Sequence, residues 1–176
     1  MTRYSPPVPS PAQLAREAPA LGWLPRPGGS GGDLPDINVW LALAVQEHPH
    51  HAAARRYRAE AQAAGVSALW FCRVTMLGLV RLLCQPKVVG AGALRLDGAW
   101  ALYEQFRAVP GVGLLAEPDD CDTHLRALVS ATDLPARLWT DAYLAALAQS
   151  SGLRLVTFDA DFHRFALPQC MVLTTT

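Results

Sequence analysis

Two hydrophobic periods alternate along this chain, and the switches between them mark its elements. Leu34-Pro35-Asp36-Ile37 reads as a short apolar strand whose start Pro35 puts at a bend rather than mid-sheet, because proline cannot donate to a ladder. Asn38 to Val45 reads as a helix entered directly from it, and His51 to Ala64 as a second helix closed by Gly65. Val66 to Leu69 is a strand candidate, followed by helical spacing from Phe71 to Leu83 that stops before Pro86. Leu96 to Ala108 predicts a helix ended by Pro110-Gly111, and Val112 to Leu115 a strand. Asp122 to Ala131 and Thr140 to Gln149 predict helices, the latter closed by Gly152. Leu153 to Phe158 reads as a strand, as does Cys170 to Leu173. Short strands alternating with helices call for an α/β sandwich around a mainly parallel sheet.

This order begins only at residue 33. Seven of the 14 prolines fall by Pro27, and Pro27-Gly28-Gly29-Ser30-Gly31-Gly32 follows, so residues 1–32 read as a flexible Pro/Gly-rich arm. Within it, Ala12 to Leu21 suits at most a short stretch of helix. Residues 33–176 form the domain.

Composition narrows the function classes. The chain is 51% hydrophobic and 17% charged, which excludes a mainly disordered protein, and no apolar run reaches the length of a membrane span. Its 15 basic and 15 acidic residues balance, which argues against a non-specific nucleic-acid coat. The balance conceals a polarity. Residues 34–107 carry eight basic and five acidic residues, whereas residues 117–161 carry three basic and eight acidic. Cys72, Cys84, Cys121 and Cys170 form no C-x-x-C pair, so buried thiols in a reducing cytoplasm fit better than zinc. The N-terminus lacks the charged-then-apolar pattern of a secretion signal, which also points to the cytoplasm.

Three acids stand where α/β geometry gathers chemistry. Asp36 ends the first strand and Asp159 ends the strand Leu153 to Phe158, and ligands of open parallel sheets sit beyond such carboxyl ends. Asp141 follows Thr140, a candidate N-cap, and can face the same edge. Taken singly, Asp141 suits a helix start and Asp159 a turn leading into Asp161. Asp36 is harder to explain structurally, because an acid in an apolar junction costs desolvation free energy unless compensated. Clustered carboxylates repel, and a hard cation such as Mg²⁺ or Mn²⁺ is their natural partner.

The blocks carrying these acids resemble a known family. Leu34-Pro35-Asp36-Ile37-Asn38-Val39-Trp40-Leu41, His48-Pro49-His50-His51, Cys72-Arg73-Val74-Thr75 with Gly78 and Arg81, Trp139-Thr140-Asp141-Ala142-Tyr143-Leu144, and Leu155-Val156-Thr157-Phe158-Asp159-Ala160-Asp161-Phe162 resemble PIN-domain nucleases, particularly VapC-type toxins of toxin–antitoxin pairs. The resemblance implies a PIN-like three-layer sandwich and an Mg²⁺- or Mn²⁺-dependent endoribonuclease. It also implies a homodimer held inactive by a cognate antitoxin. It assigns metal binding and catalysis to Asp36, Asp141 and Asp159, an auxiliary metal role to Asp161, and support of the site to Asn38 and Thr157.

One position departs from the family. Many PIN domains carry a Glu on the helix after the second strand, and the register of Thr75, Gly78 and Arg81 puts Met76 there. A thioether offers Mg²⁺ no oxygen, so either three acids suffice or this is a catalytically weakened RNA- or protein-binding module. Glu47, Glu117, Asp119, Asp120 and Asp122 are candidate substitutes without family warrant. The remaining motifs read as structural. The histidine block suits a surface or packing role, Arg55, Arg56 and Arg58 a solvated helix face, and Trp139, Tyr143, Phe158, Phe162 and Phe165 packing. Gly90-Ala91-Gly92 lacks the preceding strand and third glycine of a dinucleotide fingerprint.

Overall fold

A computed structural model of the protein describes residues 31–66, 68–131 and 134–175. Almost all of the arm expected over residues 1–32, including the helical stretch at 12–21, lies outside the described residues. The elements run β1 (Asp33–Pro35), α1 (Ile37–Ala44), α2 (His51–Ala63), β2 (Leu69–Phe71), α3 (Arg73–Leu83), α4 (Pro86–Val89), α5 (Leu96–Ala108), β3 (Val112–Leu114), α6 (Cys121–Ala131), α7 (Trp139–Ser151), β4 (Arg154–Thr157) and β5 (Cys170–Val172). Short 3₁₀ segments at Gly90–Gly92, Ala136–Leu138 and Ala160–Phe165 complete them.

The sheet is parallel throughout, in the order β3-β2-β1-β4-β5. The chain therefore builds outward from β1 on one side, then crosses back to lay β4 on its other side. The order reverses between β1 and β4, and the loops leaving these two strands diverge to leave a crevice.

Side chains alternate across the sheet with the period of two that strands impose. Leu34 and Leu155 enter a cluster with Leu144, Leu147 and Phe162, beneath α6 and α7. Leu69, Phe71 and Val156 enter a second with Val39, Trp40, Leu79 and Tyr103, beneath α1, α2, α3 and α5. Trp40 stacks on Phe71 with centroids 3.7 Å apart. This is the three-layer sandwich expected, with one core on each face. On β2, Trp70 lies across Gly113 of β3, its cross-strand partner. A Cβ at residue 113 would come within 2.2 Å of the indole ring, so only glycine fits there.

Several boundaries move, each for a local reason. Ile37 belongs to α1 because Asp36 is the N-cap, its Oδ1 accepting the Ile37 N–H at 2.6 Å. Phe71 belongs to β2, which starts at Leu69, and Cys72 then caps α3. Helix α7 starts at Trp139 with Leu138 at its N-cap, so Thr140 lies inside the first turn and is not the cap. Pro35 corrects a further expectation: it is not at a bend but in the central strand, opposite Val156. Asp33 N–H bonds toward β2 and Asp36 N–H toward β4, so the missing N–H of Pro35 faces β2. There the β1–β2 register is carried by the pair Asp33–Leu69.

Candidate functional site

Asp36, Asp141 and Asp159 line one cleft of about 520 Å³ at the carboxyl ends of β1 and β4, the point where strand order reverses. Asp36 leaves the end of β1, Asp159 follows β4, and Asp141 comes from the first turn of α7. The opposite wall is the face of α3 carrying Val74, Thr75, Leu77, Gly78 and Arg81.

Asp36 is buried and fully engaged. Its Oδ1 caps α1, while Oδ2 accepts from Asn38 Nδ2 at 2.7 Å and from Thr157 Oγ1 at 2.9 Å. Asn38 in turn accepts the Phe158 N–H through Oδ1 at 3.2 Å, and Thr157 Oγ1 accepts the Asp159 N–H at 3.0 Å. Asn38 and Thr157 thus tie the end of β1 to the end of β4. Loss of water raises the Asp36 carboxyl to a pKa of about 6, against the pull of the Thr157 and Ile37 hydrogen bonds, and repulsion from Asp141 and Asp159 adds to the rise. Burial also raises Asp141, with Asp159 and Asp161 repelling it.

The donor set suits a hard divalent cation: three carboxylates, one of them costly to ionise without a compensating positive charge. Among the described residues, no three His, Cys, Asp or Glu side chains are closed around a common point. The three acids share the cleft but stand apart, as like charges do.

Asp161 lies outside the cleft lining. Arg137 donates to its Oδ2 at 2.9 Å and Arg164 to its Oδ1 at 3.3 Å, and the Arg137 hydrogen bond leads in holding its carboxyl below the usual range. Its backbone N–H bonds Asp159 Oδ1 at 2.8 Å, so Asp161 meets the site through Asp159. Met76 offers the cleft no ligand. It is buried in the core with Leu79 and Leu83, and the α3 residues facing the cleft are its neighbours. Glu47, Glu117, Asp119, Asp120 and Asp122 do not line the cleft, and Glu117 accepts a hydrogen bond from Tyr143.

The aromatic and histidine motifs divide. Phe162 and Phe165 are core residues, and Phe158 stacks under His50 at 4.5 Å, which makes the histidine block a packing element. His51 Nδ1 lies 2.8 Å from the Ala42 carbonyl oxygen. Trp139 does not pack as expected: 58% of it is exposed. Tyr143, one turn on, does pack against the core. The signals for the α3 wall and for the arginine clamp on Asp161 were absent from any single motif. They arise from elements the fold brings together.

A family model for the PIN domain matches residues 34–167. The chain belongs to the PIN domain family. This PIN domain is 40% identical over 134 residues to ribonuclease VapC41 of Mycobacterium tuberculosis, an alignment spanning 74% of this chain and 90% of that protein. It is 37% identical over 129 residues to ribonuclease VapC38 of the same organism, spanning 71% and 83%. Among solved structures it is similar to M. tuberculosis VapC20, a Sarcin-Ricin loop cleaving toxin, with a TM-score of 0.56 and 18% identity over 81% of this chain and 100% of that one. VapBC-1 from nontypeable Haemophilus influenzae gives a TM-score of 0.54 and 14% identity over 80% and 96%. At those identities the structural likeness is one of fold.

Proposed function

We propose that this PIN domain is a divalent-metal-dependent endoribonuclease and the toxin of a toxin–antitoxin pair. The observation that carries the reading is the meeting of Asp36, Asp141 and Asp159 in one cleft at the strand-order reversal, with Asp36 fixed by Asn38 and Thr157. Its relatives VapC41 and VapC38 are ribonucleases.

Asp36, Asp141 and Asp159 would hold Mg²⁺ or Mn²⁺, with Asp161 acting through its backbone bond to Asp159. The cation supplies Lewis acidity at the scissile phosphate and lowers the pKa of water toward neutrality. The chain's own part is to orient and to charge. Asn38 and Thr157 hold the Asp36 carboxylate in one rotamer. The acids repel RNA phosphate unless positive charge intervenes, which makes cleavage metal-dependent.

A cognate antitoxin, a homodimer and a cytoplasmic site of action are part of the same proposal. Exposed Leu96 and Trp100, one turn apart on α5, offer apolar surface for such contacts. Among the described residues no single helix is long and apolar enough to cross a membrane. The alternative, a non-cutting binding module, rests on the absence of an acid at Met76, and the three acids that the cleft retains and the ribonuclease relatives weigh against it.

Asp36→Asn and Asp141→Asn proteins test the reading. Both are expected to lose RNA cleavage and growth arrest while keeping a cooperative thermal transition. Undiminished cleavage by either would sink the mechanism.

A further inference from the structure

The cleft is charged asymmetrically. Its three carboxylates stand on the side built by β1, β4 and α7, and α3 contributes none, since no Asp or Glu occurs from Arg73 to Leu83. The α3 side offers instead one cation, Arg81, which among the described residues is the only basic residue lining the cleft. The same cleft is lined by the apolar or small residues Ile37, Val74, Leu77 and Gly78. Gly78 is pressed so closely by Ile37 that a Cβ there would fall 2.1 Å from Ile37 Cδ1. Helices α1 and α3 therefore close the floor, and a longer side chain at residue 78 would have to displace Ile37.

Arg81 is exposed, and no hydrogen bond or ion pair engages its guanidinium among the described residues. Other arginines are committed. Arg137 and Arg164 hold Asp161, Arg154 holds Asp33, Arg95 meets Asp97, and Arg107 reaches the Val112 carbonyl. A guanidinium that lines an acidic cleft without pairing to its acids is available to an anion. Its planar fork matches two non-bridging oxygens of one phosphate.

We propose that Arg81 binds a backbone phosphate of the RNA in the cleft that the three acids share. The proposal rests on the nuclease reading above. Arg81 makes no ion pair with the acids of its own cleft, so its guanidinium is left to a phosphate that enters it. The contact is to backbone and carries no sequence preference.

The test uses the whole chain and the variants Arg81→Met and Arg81→Lys. Binding of a fluorescently labelled single-stranded RNA of mixed sequence is followed by anisotropy with Ca²⁺ in place of Mg²⁺, so that the acids carry a compensating cation, with the RNA checked intact on a gel, and Mn²⁺ binding is followed by calorimetry. Arg81→Met is expected to weaken RNA binding by about tenfold. The slope of log K against log salt should fall in magnitude by about 1. Arg81→Lys should recover the salt slope but only part of the affinity, since a lysine keeps the charge without the fork. Mn²⁺ should bind with the same affinity in wild type and Arg81→Met. RNA binding by Arg81→Met equal to wild type overturns the phosphate assignment, and a Mn²⁺ affinity that falls in Arg81→Met overturns its assignment to the RNA rather than to the acid site. Either result leaves the nuclease reading standing if Asp36→Asn still abolishes cleavage. Wild type that binds no RNA overturns both.

Discussion

Asn38 Nδ2 lies 2.7 Å from Asp36 Oδ2, so the second residue of α1 fixes the acid that caps that helix. The same amide nitrogen lies 3.0 Å from Thr157 Oγ1, and its oxygen takes the Phe158 N–H. Asn38→Ala therefore releases Asp36 and unlocks the turn carrying Asp159. Outer-shell changes of this kind cost about 10–100-fold in metal affinity or activity. Mn²⁺ calorimetry and cleavage rates should both fall within that range, while Asp36 still caps α1 and the fold persists. Full activity in Asn38→Ala would remove the positioning role.

Stability without metal should fall as pH rises from about 4 to about 7. In the unfolded chain Asp36 loses its proton near 3.8, whereas in the fold it holds it until about 6. Between those values the folded state binds more protons, so raising the pH favours unfolding, and the deficit is complete above the folded pKa. For this residue the loss is on the order of 1–3 kcal/mol. Divalent cation opposes it by favouring the ionised carboxylate. The Tm increase produced by a fixed Mn²⁺ concentration should therefore be small at pH 5 and grow toward pH 7.5. A Tm increase independent of pH would contradict the coupling of Asp36 to the ion.

Met76→Glu should unfold the protein rather than restore a fourth ligand. Met76 is 4% exposed, among Leu79, Leu83 and Tyr103, and a carboxylate there would be buried without a partner. The expected loss is about 3 kcal/mol or more, read as a drop in the urea midpoint. Leu77→Glu is the informative companion, because Leu77 is 59% exposed and lines the cleft. It should remain folded and weaken RNA binding by adding negative charge across from the acids.

The contrast between residues 76 and 77 indicates which parts of the site were legible in sequence. Asp36 and Asp159 could be read because each follows a recognisable apolar strand, and in a parallel sheet all strand ends reach the same edge. Asp141 could be read as a helix-start acid, although the start itself lies two residues before it, at Trp139. The facing of α3 could not. Met76, Leu77 and Gly78 are consecutive and apolar or small, and only the approach of Ile37 to Gly78 decides which face meets the cleft. Pro35 misled for a related reason. Its missing N–H disqualifies a strand only where a partner needs it, and the β1–β2 register here is carried by Asp33 and Leu69.

At the other end of β1, Asp33 supplies a test that separates stability from chemistry. It is 1% exposed, takes two hydrogen bonds of 2.8 Å from Arg154, and accepts the Tyr57 hydroxyl at 2.6 Å. Burial, with the Asp33 charge adding to it, holds the Tyr57 hydroxyl far above its ordinary range, so it stays a donor. Arg154→Met leaves a buried carboxylate with only that hydroxyl, at a cost of roughly 2–4 kcal/mol, below the upper limit because Arg154 is itself partly exposed. Replacing the whole group by Asp33→Leu, Tyr57→Phe and Arg154→Met removes the stranded charge and should recover most of the loss. Residues 33 and 36 lie three strand steps apart, about 10 Å, so Arg154→Met should leave the cleavage rate per folded molecule unchanged. A rate that falls with the urea midpoint in Arg154→Met, and stays low in the restabilised triple variant, would mean that this end of β1 also sets the position of Asp36.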